Sequence, residues 1–471
     1  MMLGGMKVRQ IKNYLSRISD IKTVLLIEGK NGQEGELAGY LLKEKRVQRI
    51  YVVAEQPTAL YQNEKITFFT LDAAQNHCFR VNAVIVGRGC QGIYKKLKVE
   101  NADFLIAALD KGEDYFSLWE QGRECFQYIY LERDKEKKPK DRDAEDCEIL
   151  EWERGDSGIE LSIVIPVYNV ATYLPECIES LIKWDAPYVE FLFVNDGSTD
   201  NSGEIIESYR KKDNRIHLMN KTNGGCASAR NYGISHARGR YLGFVDSDDF
   251  VDSEMFRKLL ERALMGNFEL CYCGYREFYE ETGDSEPVLN DCLAEPYVSG
   301  TYREDKVQKL AINTRVAIWR CIYKRSLLER EHLCFHEDLK RFDDLPFRIE
   351  CIFSAKSAVC VPEYLYYYRL GRKGQDVSCK DERLWVHFRI FEYLDDFVEP
   401  MRDRRLLDYL QIVKVNTHGY ALAGIERPLY HKYRREAARQ LDKYAGTLRT
   451  LCLLMLYGGR GHIGWYLRRK I

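Results

Sequence analysis

The stretch RYLGFVDSDDFVDSEMFRKLLERAL, residues 240–264, decides how the rest of the chain is read. An apolar run, Tyr241–Val245, ends in three carboxylates within four residues, Asp246, Asp248 and Asp249. Apolar residues at helical spacing follow, so the pattern predicts a strand, an acidic turn and a helix. Carboxylates this close repel one another, and the end of a buried strand is a poor place for unpaired charge. A divalent cation resolves the conflict. Mg²⁺ and Mn²⁺ favour hard oxygen ligands, and Mg²⁺ commonly takes only one or two protein carboxylates, with phosphate oxygens and water completing its shell. Asp246 and Asp248, two apart, can share one face of an extended segment. Such a pair at a strand end suits a metal–diphosphate site. Asp249 has a simpler reading, as a cap for the following helix.

Working outward, three upstream segments repeat the layout of strand, polar loop and helix. They are ELSIVIPVYN (160–169), whose strand is broken by Pro166, VEFLFVNDGSTDNS (189–202) and RIHLMNKTNGGCASARN (215–231). Together they form a βαβαβ array with its polar motifs after the strands. In an open α/β sheet that is the edge where ligands bind. Asp196 can accept hydrogen bonds from a nucleobase edge, Gly224 and Gly225 allow close backbone approach, and Arg230 can reach a phosphate. Taken singly, the Asp196 motif reads better as a turn leading into a helix, and the Gly224–Arg230 motif reads equally well as a loop and helix start.

Taken in order, SIVIPVYNVATYLPECIESL, VNDGSTDNS and NGGCASARNYGISHARGRYLGFVDSDD resemble the family 2 glycosyltransferases of the GT-A fold. The resemblance runs from about 160 to 380 and covers neither the first 150 residues nor the last 90. It implies that Pro166 and Tyr168 border the base and ribose of a nucleotide. Asp196 would bind the base, uracil in a UDP-sugar. Asn223, Gly225 and Arg230 would lie along the nucleotide and its diphosphate. Asp248 would ligate Mg²⁺ or Mn²⁺, and Asp246 would contact ribose or a metal-bound water.

Relatives of this kind invert the anomeric carbon and need a general base for the acceptor hydroxyl. The family's base is the Asp of a Glu-Asp pair opening a helix well downstream. Here that place holds RFDDLPF (341–347), with Asp343 in place of Glu and Asp344 as the candidate base. The rival is HED (336–338), which does contain Glu-Asp and offers Asp338. Asp344 is preferred because its distance to YLYYYR fits the family register. Asp343 and Trp319 are acceptor-side candidates, and Trp319 reads equally as core. Tyr366, Tyr367, Tyr368 and Arg369 would shape the acceptor or diphosphate site, although alternate strand residues face opposite ways.

The implied reaction moves a sugar from a UDP-sugar to a hydroxyl of a growing glycan or lipid-linked acceptor, in bacterial surface-glycan synthesis. Two other readings stand beside it. One is a binding or scaffold protein on a degenerate transferase fold, against which the intact Asp-x-Asp speaks. The other is a nucleotidyltransferase, which would want a glycine-rich, basic triphosphate loop near its first strand, and IPVYNVATYLPE has none.

The chain has 471 residues, enough for two or three domains. Residues 1–131 read as a smaller Rossmann-like α/β accessory domain. Its glycines 29, 32 and 35 are spaced G-x-x-G-x-x-G, which fits a tight turn without a cofactor better than a dinucleotide fingerprint. Residues 132–158 are dense in charge of both signs and read as a linker. The transferase domain takes 159–380, and 381–471 reads as mostly helical, for membrane or oligomer contact. Its end, TLRTLCLLMLYGGRGHIGWYLRRKI, suits a helix in an anionic membrane interface and equally one packed on the domain with a solvated basic tail. A formal net charge of −1 gives no global basic excess for nucleic acid. Fifteen cysteines with no C-x-x-C pair offer no zinc motif and fit a reducing cytoplasm, peripheral to the inner membrane face if the C-terminus binds lipid. No signal peptide and no apolar run of transmembrane length is recognisable.

Overall fold

The computed structural model describes, in its first part, residues 2–3, 6–7, 22–27, 34–43, 47–54, 65–81, 83–86, 97–100, 104–110, 127–133 and 147–153. Beyond these it describes 158–265, 267–288, 307–372, 379–444, 447–457 and 466. The chain divides into two compact units. One is Met1–Asp156 with Leu264–Asn267, and the other is Ser157–Ala263 with Phe268–Ile471.

The first unit holds a seven-stranded sheet in the spatial order Ile66–Phe69, Arg49–Val53, Thr23–Ile27, Ala83–Val86, Phe104–Asp110, Gln127–Arg133, Cys147–Glu153. Six strands run parallel and the last is antiparallel. Counting from Thr23, the parallel strands follow the doubly wound order 3-2-1-4-5-6, a Rossmann-like arrangement. The stretch read as a linker from 132 therefore needs correcting, because Cys147–Glu153 is an edge strand within it. An edge strand needs a partner on one side only and tolerates charge, so charge density does not exclude pairing there. Gly29 and Gly32, with most of their loop, lie outside the described residues.

In the second unit we number β1 Leu161–Val167, α1 Leu174–Ile182, β2 Val189–Asn195, α2 Ser202–Arg210, β3 Ile216–Asn220, α3 Cys226–His236, β4 Tyr241–Phe244, β5 Phe250–Val251 and α4 Met255–Met265. There follow β6 Leu270–Tyr279, β7 Ser285–Pro287, α5 Leu310–Asn313, β8 Cys321–Lys324, α6 Arg325–Arg330, α7 Asp344–Ser354 and β9 Ala358–Leu370. The helical C-terminal region contributes α8 Val386–Val398, α9 Arg404–Gly424, α10 Arg427–Asp442 and α11 Thr447–Tyr457.

The sheet order is β3-β2-β1-β4-β8-β6-β9-β5, with β7 paired to β6. β3, β2, β1 and β4 are parallel, and β8 pairs antiparallel with both β4 and β6. The chain winds outward from β1 to β3, then returns to lay β4 on the other side of β1. That reversal is a topological switch point, and in such sheets the crevice beyond the strand ends is the ligand site. The loops after β1, β2, β3 and β4 all open onto it.

β1 is buried along its whole length, as expected for a parallel strand covered on both faces. Pro166 is tolerated in it for a local reason. Val164 accepts from the Val245 N–H on the β4 side, so Pro166, two residues on, faces the same side. The β1–β4 ladder has ended at Val164, and no pairing is lost to the missing N–H. Helix α3 lies close on this strand because residue 233 is glycine. A Cβ there would fall 2.3 Å from a Val164 methyl.

The apolar run of α11 is covered by protein only in part, with Cys452 and Met455 exposed. Leu453 and Leu454 join a buried cluster with Ile412, Val415, Leu441 and Tyr466. No described helix is long and apolar enough to cross a membrane. Trp465 and the basic end Arg468-Arg469-Lys470 lie outside the described residues.

The α3–β1 contact yields a stability prediction. Gly233→Ala should lose about 1–3 kcal/mol through overpacking, read as a lowered denaturation midpoint. Adding Val164→Ala should recover part of that loss, and strict additivity of the two substitutions would contradict the proposed contact.

Candidate active site

The loops at the switch point are tied to one another before any ligand is considered. Asn169, just past β1, has φ +51°. Its side-chain carbonyl accepts from the Thr199 N–H at 2.8 Å and the Asp200 N–H at 3.3 Å. Asp200 in turn accepts from the Ala171 N–H at 3.0 Å. Asn tolerates the left-handed region that this turn requires, and it fixes the loop after β1 to the loop after β2. Tyr168, beside it, is exposed, whereas Pro166 is buried within β1.

Asp196 is 2% exposed at the end of β2. Its carboxylate accepts from Lys221 Nζ at 2.6 Å, the Gly224 N–H at 2.9 Å and the Gly225 N–H at 2.7 Å. In this structure it anchors the loop that carries Asn223. Gly197 lies against that loop with φ +73°, and a Cβ there would meet Asn223 N at 3.1 Å. Gly225, at φ +94°, leads into α3.

Arg230 projects from α3 and is almost fully buried. It donates through Nη2 to Asp246 Oδ1 and through Nη1 to Asp343 Oδ2, both at 2.8 Å. One guanidinium therefore holds together the acidic turn after β4 and the residue that precedes α7. Its face lies over the Phe335 ring, 5.2 Å from the centroid.

The three carboxylates of the turn have different partners. Asp246 faces Arg230. Asp248 pairs with Arg372, and burial together with the Asp246 charge pushes its carboxyl above the ordinary range. Asp249 is 1% exposed and accepts from the Tyr366 hydroxyl at 2.7 Å and the Arg369 N–H at 2.8 Å. Burial first, and then the charges of Asp248 and Asp246, raise its carboxyl well above the usual value. Asp249 is thus no helix cap. α4 begins only at Met255, and Asp252 serves its start by accepting from the Glu254 N–H at 2.9 Å.

The end of β9 supplies most of the framework around the turn. Tyr366 also accepts from the Asp246 N–H at 3.2 Å. Arg369 donates to the Asp248 carbonyl at 2.7 Å, pairs with Glu176 and Glu280, and lies over Tyr173, Phe250 and Phe278. Sequence reasoning placed these residues near an acceptor or diphosphate and missed their role in building the turn. The YYYR cluster at a strand end was the available signal. Trp319 is buried and stacks on Tyr366 and Tyr368 at centroid distances of 4.0 and 5.5 Å, so packing accounts for it here.

Asp343 and Asp344 stand where the chain enters α7. Asp343 is held by Arg230, while Asp344, the first residue of the helix, is partly exposed. Burial, then the Asp343 charge, pushes the Asp344 carboxyl up to about 6. Asp338 differs in every respect. It is exposed, accepts from the Tyr393 hydroxyl at 2.7 Å, and is lowered by that bond.

Among the described residues no group of three or more metal-ligating side chains is gathered into a cage. Asp246 and Asp248 instead fit a cation shared with phosphate and water. The guanidinium on Asp248 shows that this carboxylate already draws a positive group.

The family description glycosyl transferase family 2 matches residues 162–331. The uncharacterized glycosyltransferase EpsJ of Bacillus subtilis (strain 168) is 40% identical over 211 residues, 44% of this chain and 60% of its own length. Glycosyltransferase GlyG of Streptococcus pneumoniae serotype 4 (strain ATCC BAA-334 / TIGR4) is 31% identical over 242 residues, 48% of this chain and 75% of the relative. The chain belongs to glycosyl transferase family 2. Among relatives of this family 2 member is the poly(ribitol-phosphate) beta-N-acetylglucosaminyltransferase TarS of Staphylococcus aureus (strain Mu50 / ATCC 700699), 26% identical over 266 residues, 54% of this chain and 44% of the relative. A crystal structure of S. aureus TarS aligns over 65% of this chain and 54% of that one, with 21% identity and a TM-score of 0.47. The mixed sheet with its switch point between β1 and β4 is the GT-A arrangement expected of the family.

Because the Tyr366 hydroxyl supplies one of two described donors to a buried carboxylate, Tyr366→Phe should cost about 1–3 kcal/mol. Denaturant unfolding is the measurement, and an unchanged midpoint would show that the Asp249 contact contributes nothing.

Proposed function

We propose that this chain is an inverting, divalent-metal-dependent glycosyltransferase. It moves a sugar from a nucleotide-sugar donor, a UDP-sugar, to a hydroxyl of a growing surface glycan or lipid-linked acceptor. The observation that carries the reading is the Arg230 bridge. It brings a carboxylate pair suited to a metal–diphosphate, Asp246 and Asp248, next to a second pair, Asp343 and Asp344, from more than 90 residues further along the chain. A transferase needs the donor's leaving group on one side and a base for the acceptor on the other. Family membership and relatives named as glycosyltransferases support the chemistry. The relatives named as beta-glucosyl and beta-N-acetylglucosaminyl transferases support a hexose or N-acetylhexosamine as the moving sugar.

On this reading Tyr168 and Asn223 border the nucleotide, and Asp196 keeps the intervening loop in place. Asp248, with Asp246 beside it, would hold Mg²⁺ or Mn²⁺. When bound, the cation supplies positive charge against the departing diphosphate. Asp344 takes the proton from the acceptor hydroxyl as its oxygen attacks the anomeric carbon. A carboxyl raised to about 6 is ionised at neutral pH and is a stronger base than an ordinary Asp. Asp343 contributes by its charge, and Arg230 limits how far that charge acts.

The sign of the pH dependence follows. The base works deprotonated, so turnover should be level above about 6 and fall tenfold per unit below it. A screen of nucleotide sugars with Mn²⁺, read by binding and by slow donor hydrolysis, tests the donor class. Asp248→Ala should abolish metal-dependent donor binding. Asp344→Asn should keep donor binding and lose turnover by roughly 10²-fold or more. Donor binding by Asp248→Ala at wild-type strength, or full turnover by Asp344→Asn, would overturn the respective assignment.

A further inference from the structure

Phe342 immediately precedes the two carboxylates of the second pair and has φ +55°. A bulky aromatic residue does not adopt the left-handed region without compensation. The compensation lies in the C-terminal helical region. The Phe342 ring packs on a buried cluster of Leu384, Ala421, Leu422, Ile425, Tyr433 and Ala437, and its centroid is 5.0 Å from that of His387.

That surface is itself fixed by hydrogen bonds. The Tyr433 hydroxyl bridges His387 Nδ1 at 3.0 Å and His418 Nδ1 at 2.9 Å. His418 Nε2 meets Gln440 Oε1 at 3.0 Å, and Gln440 donates to the Phe388 carbonyl at 3.0 Å. Helices α8, α9 and α10 are thereby tied into one platform. Burial depresses His387 to about 4 and His418 to about 3, so both rings are neutral and the network is uncharged at physiological pH.

From Phe342 the connection to the site is short. Its carbonyl accepts from the Leu345 N–H at 3.2 Å and so closes the first turn of α7 over Asp343 and Asp344. On one side Asp343 is held by Arg230, and on the other the ring of Phe342 is held by the platform. Two grips on adjacent residues fix where α7 begins, and Asp344 is its first residue.

We infer that Phe342 is a positioning residue for the general base, and that the C-terminal helices set the place of Asp344 through its ring. This role presupposes Asp344 as the base. It assigns the C-terminal region a part in the chemistry beyond any contact with a membrane or a second subunit.

The test uses the full chain, UDP-glucose and UDP-N-acetylglucosamine as donors, Mn²⁺, and water as the acceptor. Phe342→Asn removes the ring but keeps a residue that tolerates the left-handed conformation, and Phe342→Tyr keeps the ring. The expected result for Phe342→Asn is unchanged KM and UDP–Mn²⁺ affinity, with kcat for donor hydrolysis reduced by roughly 10²-fold, the cost of a displaced catalytic group. Phe342→Tyr should restore kcat to within a few-fold of wild type. If Phe342→Asn does not fold, Phe342→Gly, which also accepts a positive φ, takes its place. Wild-type kcat in the ringless variant while Asp344→Asn is inactive would overturn the positioning role alone. Wild-type kcat in Asp344→Asn would overturn the base assignment, and the positioning role with it.

Discussion

Three carboxylates within four residues at the end of β4 are the constraint around which the second unit is organised. Two like charges 4 Å apart cost about 4 kcal/mol at the effective dielectric near a protein surface, so the turn needs opposing groups on every side. Arg230 comes from α3, Arg372 from beyond β9, and the Tyr366 hydroxyl and Arg369 from β9 itself. Each carboxylate has its own partner. The turn is stable only where β9 and α3 are both in place, which links its geometry to strand order and not to the local sequence.

The same arrangement accounts for the difference among the carboxylates. Asp249 is enclosed and structural, whereas Asp246 and Asp248 are partly exposed and pair with Arg230 and Arg372. Arg230 extends the pattern to Asp343, and Asp344 beside it is raised by burial and by that neighbour. On the proposed function, the network that contains this repulsion also holds Asp248 for a cation and Asp344 for a proton.

Much of this was legible in the sequence because its signals are local. The strand–loop–helix rhythm from Glu160, the Asp-x-Asp after an apolar run and the Asp343–Asp344 pair at a helix start all lie within single segments. What was not legible depends on partners far along the chain. Asp249 looked like a cap because its true partners, Tyr366 and Arg369, are 117 and 120 residues away. The strand Leu270–Tyr279 lacks a clean alternation because it is buried at first and half-exposed later. The edge strand Cys147–Glu153 was masked by charge that an edge position tolerates. Asn169 and Phe342 are told apart from ordinary loop residues only by their backbone angles.

On the proposed function, the acidic turn holds Asp248 for a cation, and Arg372 pairs with that carboxylate when the cation is absent. Anomalous diffraction from crystals soaked with Mn²⁺ and UDP tests this most directly. Mn²⁺ is expected on the Asp248 carboxylate, with Arg372 withdrawn from it. Nucleotide bound with Arg372 still on Asp248 and no Mn²⁺ there would contradict it.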